Sequence, residues 1–331
     1  MHERVLPDDG YLFHTKKGKP VELPKSLAPL ADTHGHLTSF RTMRPEVALA
    51  RAALAGVRLL AVPVDPSDEV PNVPEFLSWF GQVIDGAGQL LDACAARGTE
   101  PPVLLGWEDA PALVDNVHFL AGIHPYGAKK YLEDASVRER LKRLLANERC
   151  VGVGEFGLDY GPWNELPADV QIEAFRSQLR LAHELGMRVE LHVRDANDDF
   201  QAHAHLDALS VLEEEGVPEA GCDLHCYTNS PEVMAPFVEL GCYVAFGGAA
   251  TFAKSEEIRN AVAVCPEHLI LSETDCPYMA PVPMRGSECE PAMVAFSAAC
   301  IARNREERGV ATQPETYKAF WQNALRFFGL A

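Results

Sequence analysis

The sequence contains no hydrophobic run of the roughly 20 residues that a membrane-spanning helix needs. The lysines at positions 16, 17 and 19 are followed by no hydrophobic stretch, so we expect no signal peptide. The nine cysteines include no C-x-x-C pair and no regular spacing, which argues against a disulfide framework. Several of them lie in or beside apolar, strand-like segments, so we expect reduced, buried thiols in a cytoplasmic protein with no membrane partner.

Positive charge is also scarce. The chain has 29 Lys and Arg against 48 Asp and Glu, which gives a formal net charge of -19. An acidic surface repels polyanions, so an extended basic surface for duplex DNA is not expected. A small phosphate substrate that is met locally by metal ions and a few arginines remains compatible with this charge.

Short apolar segments that alternate with helical patterns are abundant. With 331 residues and 47% hydrophobic content, the chain can build a full core. Eight segments are predicted as strands: 30–34, 57–64, 117–124, 150–155, 188–192, 222–225, 242–246 and 269–275. Alternation with helices indicates a parallel sheet, and eight repeats favour a single-domain (β/α)8 TIM barrel. A doubly wound open sheet fits less well, because no Gly-rich phosphate loop follows the first strand.

Two segments lie outside this regular pattern. Residues 1–27 are polar and interrupted by prolines and glycines, so we expect an irregular N-terminal extension before a barrel domain over residues 28–331. The Gly- and Pro-containing stretch near residues 98–116 predicts an insertion between strands two and three.

The first predicted strand ends in two histidines, His34 and His36, on either side of Gly35. Residues i and i+2 of an extended chain point to the same side, so both imidazoles can reach one metal ion. An isolated pair of this kind is also compatible with a surface feature or a fragment of an affinity tag.

Further ligand-type residues stand at the ends of other predicted strands. In a TIM barrel, the C-terminal ends of the strands meet around the active site. The residues at these ends are His34, His36, His124, Glu155, His192, His225 and Asp275. Each alone could be structural, as a hydrogen-bonded buried histidine or a helix-capping carboxylate. Their recurrence at so many strand ends predicts a metal centre.

Neutral imidazoles and carboxylates suit Zn, Mn, Co, Ni or Mg. Two such ions, roughly 3.5–4 Å apart, can be bridged by a carboxylate and by a water that becomes hydroxide near neutral pH. That hydroxide can attack a phosphorus or a carbonyl carbon, and the metals neutralise the charge that develops on the oxygens. The pattern therefore predicts a dinuclear, divalent-metal-dependent hydrolase.

Six segments resemble, in order, the signatures of the TatD-type metal-dependent deoxyribonucleases, which belong to the amidohydrolase-like barrels. They are 32–37 (DTHGHL), 122–125 (GIHP), 153–160 (VGEFGLDY), 191–196 (LHVRDA), 224–230 (LHCYTNS) and 272–278 (SETDCPY), with Pro281 and Arg285-Gly286 downstream. The resemblance extends from about residue 28 to the end of the chain.

The resemblance implies two metal ions and six ligands. One ion would be held by His34, His36, Glu155 and Asp275. The other would be held by Glu155, His192 and His225. Glu155 would bridge the ions, and Asp275 would also accept the proton of the attacking water.

The resemblance also places His124 and Arg194 near the substrate, where Arg194 could grip a phosphate; a surface ion pair is the alternative. Glu273 lies two residues before Asp275 on the same strand face, so we expect it to point inward, toward substrate or a ligand histidine. Strand alternation should direct Cys226 away from the metals. Tyr126 stands where relatives often carry another histidine, a departure that bears on the substrate.

Three classes of function follow. The leading prediction is a phosphodiesterase, a deoxyribonuclease acting on short or single-stranded DNA. The alternative is an amidohydrolase or lactonase acting on a small ester or amide; such relatives often use a carbamylated lysine at strand four, where this chain has Glu155. The third class is a non-catalytic barrel scaffold, against which the full ligand set argues.

Overall fold

Eight parallel strands form a ring at the centre of the molecule in the computed structural model, which describes residues 5–197 and 199–331. The strands are β1 (Leu30–Asp32), β2 (Val57–Val64), β3 (Val117–Ala121), β4 (Cys150–Asp159), β5 (Val189–Arg194), β6 (Cys222–Leu224), β7 (Tyr243–Phe246) and β8 (Ile270–Ser272). Each strand pairs with the next along the chain. Between β8 and β1, the amide of Thr33 donates to the Ser272 carbonyl at 3.1 Å. The predicted TIM barrel is confirmed.

Ten α-helices among the described residues surround this ring. They are α1 (Pro45–Leu54), α2 (Val73–Ala95), α3 (Ala128–Glu133), α4 (Ala135–Leu145), α5 (Ala168–Leu185), α6 (His203–Glu215), α7 (Pro231–Glu239), α8 (Glu256–Val264), α9 (Val294–Glu307) and α10 (Gln313–Phe328). No helix in the described part of the chain combines the length and the apolarity needed to cross a bilayer.

Alternating side chains divide the barrel strands into an outer and an inner face. On β2, Leu60 and Val62 belong to the outer core under the helices. Leu59 and Ala61 belong to a separate inner cluster with aromatic side chains of α10. Helix α10 begins with a capping box between Thr312 and Glu315, and the inner cluster that it joins fills one end of the barrel. The opposite end, where the strands terminate, carries the polar residues.

Helix α2 is continuous, although it contains glycines at positions 81, 86 and 88, which disfavour a helix interior. The side chain of Asn72 caps its first turn by accepting from the Glu75 amide. A Cβ on Gly86 would lie 3.2 Å from the Cβ of Glu46, so this glycine permits close packing against α1. A loop and a short 3₁₀ turn, Leu113–Asp115, then lead into β3.

The N-terminal segment packs on the barrel through the buried Phe13, whose ring lies 5.4 Å from that of Phe296, and through a buried arginine. The guanidinium of Arg51 donates to the Glu290 carboxylate at 2.7 Å and to the Val5 carbonyl at 2.9 Å. The sequence predicted an irregular segment, but part of it is regular. Two short strands, Phe13–His14 and Pro20–Val21, form an antiparallel hairpin.

Candidate metal centre

A cavity of about 740 Å³ opens at the C-terminal ends of the barrel strands. Side chains from several strand ends line it, including His36, His124, Glu155, His192, Arg194, His225 and Asp275. His34 lies directly beneath this surface and is fully buried. The structure thus brings to one place all the residues that were predicted at the strand ends.

The Glu155 carboxylate lies at the centre of this group. One oxygen, Oε1, is 3.4 Å from His36 Nε2 and 3.9 Å from His34 Nε2. The other oxygen, Oε2, is 2.9 Å from His225 Nε2 and 3.1 Å from His192 Nδ1. Each oxygen therefore faces its own pair of imidazoles, which is the arrangement a bridging carboxylate requires.

Asp275 completes the side of the cluster that His34 and His36 form. Its Oδ1 lies 3.8 Å from Nε2 of both histidines, and the two histidine nitrogens are 3.1 Å apart. These three donors form one set within 4.8 Å of one another, and His34, Glu155 and His225 form another. A third set joins His124 to Glu155 and His192. Nitrogen and carboxylate donors gathered in this way fit divalent ions.

Local backbone geometry positions the donors. A Cβ on Gly35 would lie 2.9 Å from Cys276 Sγ and 3.2 Å from Asp32 Oδ2, so only glycine fits between the two histidines. Asp275 adopts a left-handed conformation, with φ of 55°, while its amide donates to the His34 carbonyl at 2.9 Å. Such strain in a non-glycine residue persists where surrounding contacts hold it, often at functional sites.

Outer carboxylates fix which histidine nitrogen faces the centre. Glu190 Oε1 lies 2.8 Å from His34 Nδ1, which leaves Nε2 toward the cluster. Asp159 Oδ2 lies 3.1 Å from His192 Nε2, which leaves Nδ1 toward Glu155. Carboxylates in this position orient ligand imidazoles and set their tautomer.

The charges of the central residues suit cation binding. Burial alone would raise the pKa of Glu155, but His225 and His192 outweigh it and hold the pKa well below its ordinary value. Burial, reinforced by His225, lowers the pKa of His34 well below its ordinary value. Glu155 is therefore an anion and His34 a neutral imidazole, which are the states that bind metal.

Three further carboxylates lie in the barrel interior below the cluster: Glu190, Asp223 and Glu273. All three are fully buried, and burial raises the pKa of each, to about 8 for Asp223. Both oxygens of Asp223 and of Glu273 have no hydrogen-bond partner. With the pKa raised in this way, these three carboxyl groups are largely protonated near neutral pH when no metal is bound, which avoids the cost of burying unpaired charge.

His192 differs from His34 in its protonation. Burial lowers its pKa, but hydrogen bonds to Asp159 and Glu155 outweigh burial and raise the pKa to about 9. In the metal-free protein, protonated His192 thus stabilises the fold below about pH 6.5, and this contribution is lost as the pH rises through about 9.

Metal binding needs the neutral imidazole, so protons compete with metal at His192. We expect the apparent affinity for Mn²⁺ to weaken by at least about tenfold for each pH unit below about 9. Isothermal titration calorimetry across this pH range measures the effect. The variant His268→Ala, altered at an exposed histidine preceding β8, should follow the wild type. An affinity independent of pH contradicts the expectation.

The predicted substrate contacts separate into two groups. His124 and Arg194 line the cavity. Glu273 is fully buried, with Oε2 3.8 Å from His225 Nδ1, so we do not retain it as a substrate contact. Glu273 instead lies behind the histidine His225, which is the second of the two positions expected from the sequence.

Several residues of the site were not predicted from the sequence. Glu190 and Asp223 stand two residues before His192 and His225, so the strand alternation applied to Glu273 could have found them. The prediction that Cys226 points away is wrong. Its backbone has φ of 47°, which breaks the alternation, and the nearby Asp275 carboxylate adds to burial in raising the pKa of its thiol.

The parallel eight-stranded barrel thus carries at its mouth a set of imidazoles and carboxylates that suits divalent metal ions. Comparison with known proteins agrees. A family model described as TatD related DNase matches residues 31–329. The chain therefore belongs to the TatD family of metal-dependent hydrolases.

Individual relatives show how far the similarity extends. YabD of Bacillus subtilis, an uncharacterized metal-dependent hydrolase, is 32% identical over 249 residues, which cover 72% of this chain and 91% of the relative. TatD of Escherichia fergusonii, a 3'-5' ssDNA/RNA exonuclease, is 33% identical over 162 residues. These residues cover 49% of this chain and 58% of that relative. The crystal structure of YjjV, a TatD homologue from Escherichia coli K12, superposes with a TM-score of 0.68 at 23% sequence identity. The superposition covers 92% of this chain and 100% of YjjV.

Proposed function

We propose that this protein is a dinuclear, divalent-metal-dependent phosphodiesterase that cleaves short or single-stranded DNA. The observation that carries the proposal is the position of Glu155, whose two carboxylate oxygens face separate pairs of histidines. A carboxylate placed in this way can serve two ions at once.

The donors divide into two ligand sets. The first comprises His34, His36, Glu155 and Asp275. The second comprises Glu155, His192 and His225. When bound, two divalent ions would supply a water of low pKa as the nucleophile and neutralise charge on the phosphoryl oxygens. Mg, Mn, Zn, Co and Ni all accept this mixture of nitrogen and oxygen donors.

Asp275 is the residue that we assign to proton transfer. Burial raises the pKa of its carboxyl group, which improves its ability to accept a proton from water near neutral pH. It lines the cavity, and its left-handed backbone directs its side chain toward His34 and His36. Asp275 therefore has the access and the basicity that a general base needs.

Arg194 is the residue that we assign to the substrate phosphate. Its guanidinium lies on the cavity wall, 3.7 Å from the buried Asp159 carboxylate and stacked on the Trp163 ring at 4.3 Å. These contacts orient the planar group while leaving about one third of the side chain exposed. Lys130 adds a second positive charge to the cavity wall. An oriented guanidinium suits bidentate binding of a phosphate.

The relatives support a nucleic-acid substrate. The family carries a DNase description, and the relative from Escherichia fergusonii is named for action on single-stranded DNA and RNA. The net charge of -19 disfavours long duplex DNA and leaves recognition to the metals and the few cations of the cavity.

The test is hydrolysis of a labelled single-stranded oligonucleotide with Mg²⁺ or Mn²⁺. We expect cleavage by the wild type and by His268→Ala, loss of cleavage in EDTA, and a decrease of at least about 100-fold in His192→Ala. A parallel panel of lactones and small amides tests the alternative class. Cleavage of that panel alone, or oligonucleotide cleavage that survives in His192→Ala, contradicts the proposal.

A further inference from the structure

Three large aromatic side chains are exposed around the metal centre. Trp163 is 69% exposed, Tyr278 51% and Tyr126 48%. All three line the cavity. Exposed aromatic surface beside a functional centre is typical of binding sites, because a ligand can cover it.

The three rings stand on two sides of the metal ligands. Tyr126 and Trp163 lie in the loops that follow β3 and β4, whereas Tyr278 follows β8. In a ring of eight strands, β4 and β8 are diametrically opposed. A ligand that reaches the metal centre therefore has an aromatic surface on either side of it.

Ring distances place these surfaces close to the reacting position. Tyr126 lies 4.3 Å from the His124 ring, which is 4.4 Å from His192. Tyr278 lies 6.2 Å from the His36 ring. One tyrosine thus neighbours each of the two proposed ligand sets. Flat groups that flank the scissile bond on both sides would meet these rings.

The charges of the cavity wall limit the path of a polyanion. Arg194 lies on the side that carries Trp163, because its guanidinium stacks on that ring at 4.3 Å. Lys130 lies beside the loop after β2, where its Nζ donates to the Ser67 carbonyl at 3.4 Å. Asp68 and Glu69, in the loop after β2, line another part of the same cavity and repel phosphate. A phosphodiester chain would therefore run past Arg194 rather than over the β2 loop.

We propose that Trp163 with Tyr126, and Tyr278 opposite them, form two base-stacking surfaces that hold the nucleotides on either side of the scissile phosphate. The inference rests on the proposed function and specifies its substrate as a strand with unpaired bases. Bases in a duplex stack on one another and cannot also stack on the two surfaces. Recognition by ring faces tolerates any base, so sequence preference is weak.

The test compares two decamers with the same phosphate backbone, dT10 and a fully abasic tetrahydrofuran decamer. Binding is measured by the stopped-flow anisotropy of a 5'-fluorescein label with purified, Mn²⁺-loaded protein, from the phase that precedes cleavage. We expect the wild type to bind dT10 at least about tenfold more tightly than the abasic decamer.

Tyr278→Ala should weaken binding of dT10 by about 5- to 100-fold and leave binding of the abasic decamer unchanged. Trp163→Ala also removes the ring on which Arg194 is stacked, so it should weaken binding of both decamers, and that of dT10 by a further factor of about 5 or more. Trp163→Phe and Tyr278→Phe should retain most of the affinity, because a flat ring remains. Tyr11→Ala, altered in an exposed tyrosine of the N-terminal segment, is the matched control. An equal loss on both decamers, or no preference for dT10 in the wild type, overturns the inference.

Cleavage assays separate this inference from the proposed function. With Mn²⁺, the alanine variants should raise KM for dT10 more than they lower kcat. If dT10 is bound preferentially but never cleaved, the proposed function fails and the stacking surfaces remain. If both decamers are cleaved with the same KM, the proposed function remains and the stacking surfaces fail.

Discussion

Glu155→Gln is expected to lower kcat on a single-stranded oligonucleotide by about 10³-fold or more and to reduce the bound metal to less than two ions per chain. The amide keeps the size of the side chain but removes the negative charge between the two pairs of histidines. It also replaces one of the oxygens that face those pairs with an NH₂ group, which cannot bind metal.

Metal analysis by mass spectrometry, together with the oligonucleotide assay, measures both effects of this substitution. Glu267→Gln is the matched control, because Glu267 is exposed and precedes β8 at the end of the barrel away from the cavity. If Glu155→Gln retained two metal ions per chain and full activity, the bridging role of Glu155 would be excluded.

Asp275→Asn should separate proton transfer from metal binding. We expect kcat to fall by about 10²–10⁴-fold, because asparagine cannot accept the proton, while KM changes little. Asparagine tolerates the left-handed conformation that residue 275 adopts, so the backbone should be preserved.

Metal content is the second readout for Asp275→Asn. The second ligand set lacks residue 275, and the first keeps His34, His36 and Glu155, so most of the bound metal should remain. A variant with normal kcat shows that another group accepts the proton. A variant with neither metal nor activity, in contrast, assigns Asp275 a binding role alone.

Much of the site could be predicted from the sequence, because a residue at the C-terminal end of any barrel strand lies near the ends of the other strands. The end of β5 fixes His192, and the end of β6 fixes His225, whatever the intervening helices contain. The period of two along a strand then decides which neighbours face the interior. Where the backbone leaves that period, as at Cys226 with its positive φ, the same reasoning fails.

Other features depend on contacts between distant segments and leave no local signal. The hydrogen bond from His192 to Asp159 joins two strands, and nothing in either segment specifies it. Trp163 stands in a loop without periodicity, so only the fold shows that it covers Arg194. The continuity of α2 through three glycines likewise reflects packing against α1, which propensity cannot anticipate.

The aromatic side chains of α10 have a further consequence. Trp321, Phe327 and Phe328 fill the far end of the barrel against Leu59 and Leu271, so the chamber is blind. A substrate can therefore reach the candidate metal centre only from the mouth of the barrel, and a product must leave through that same opening.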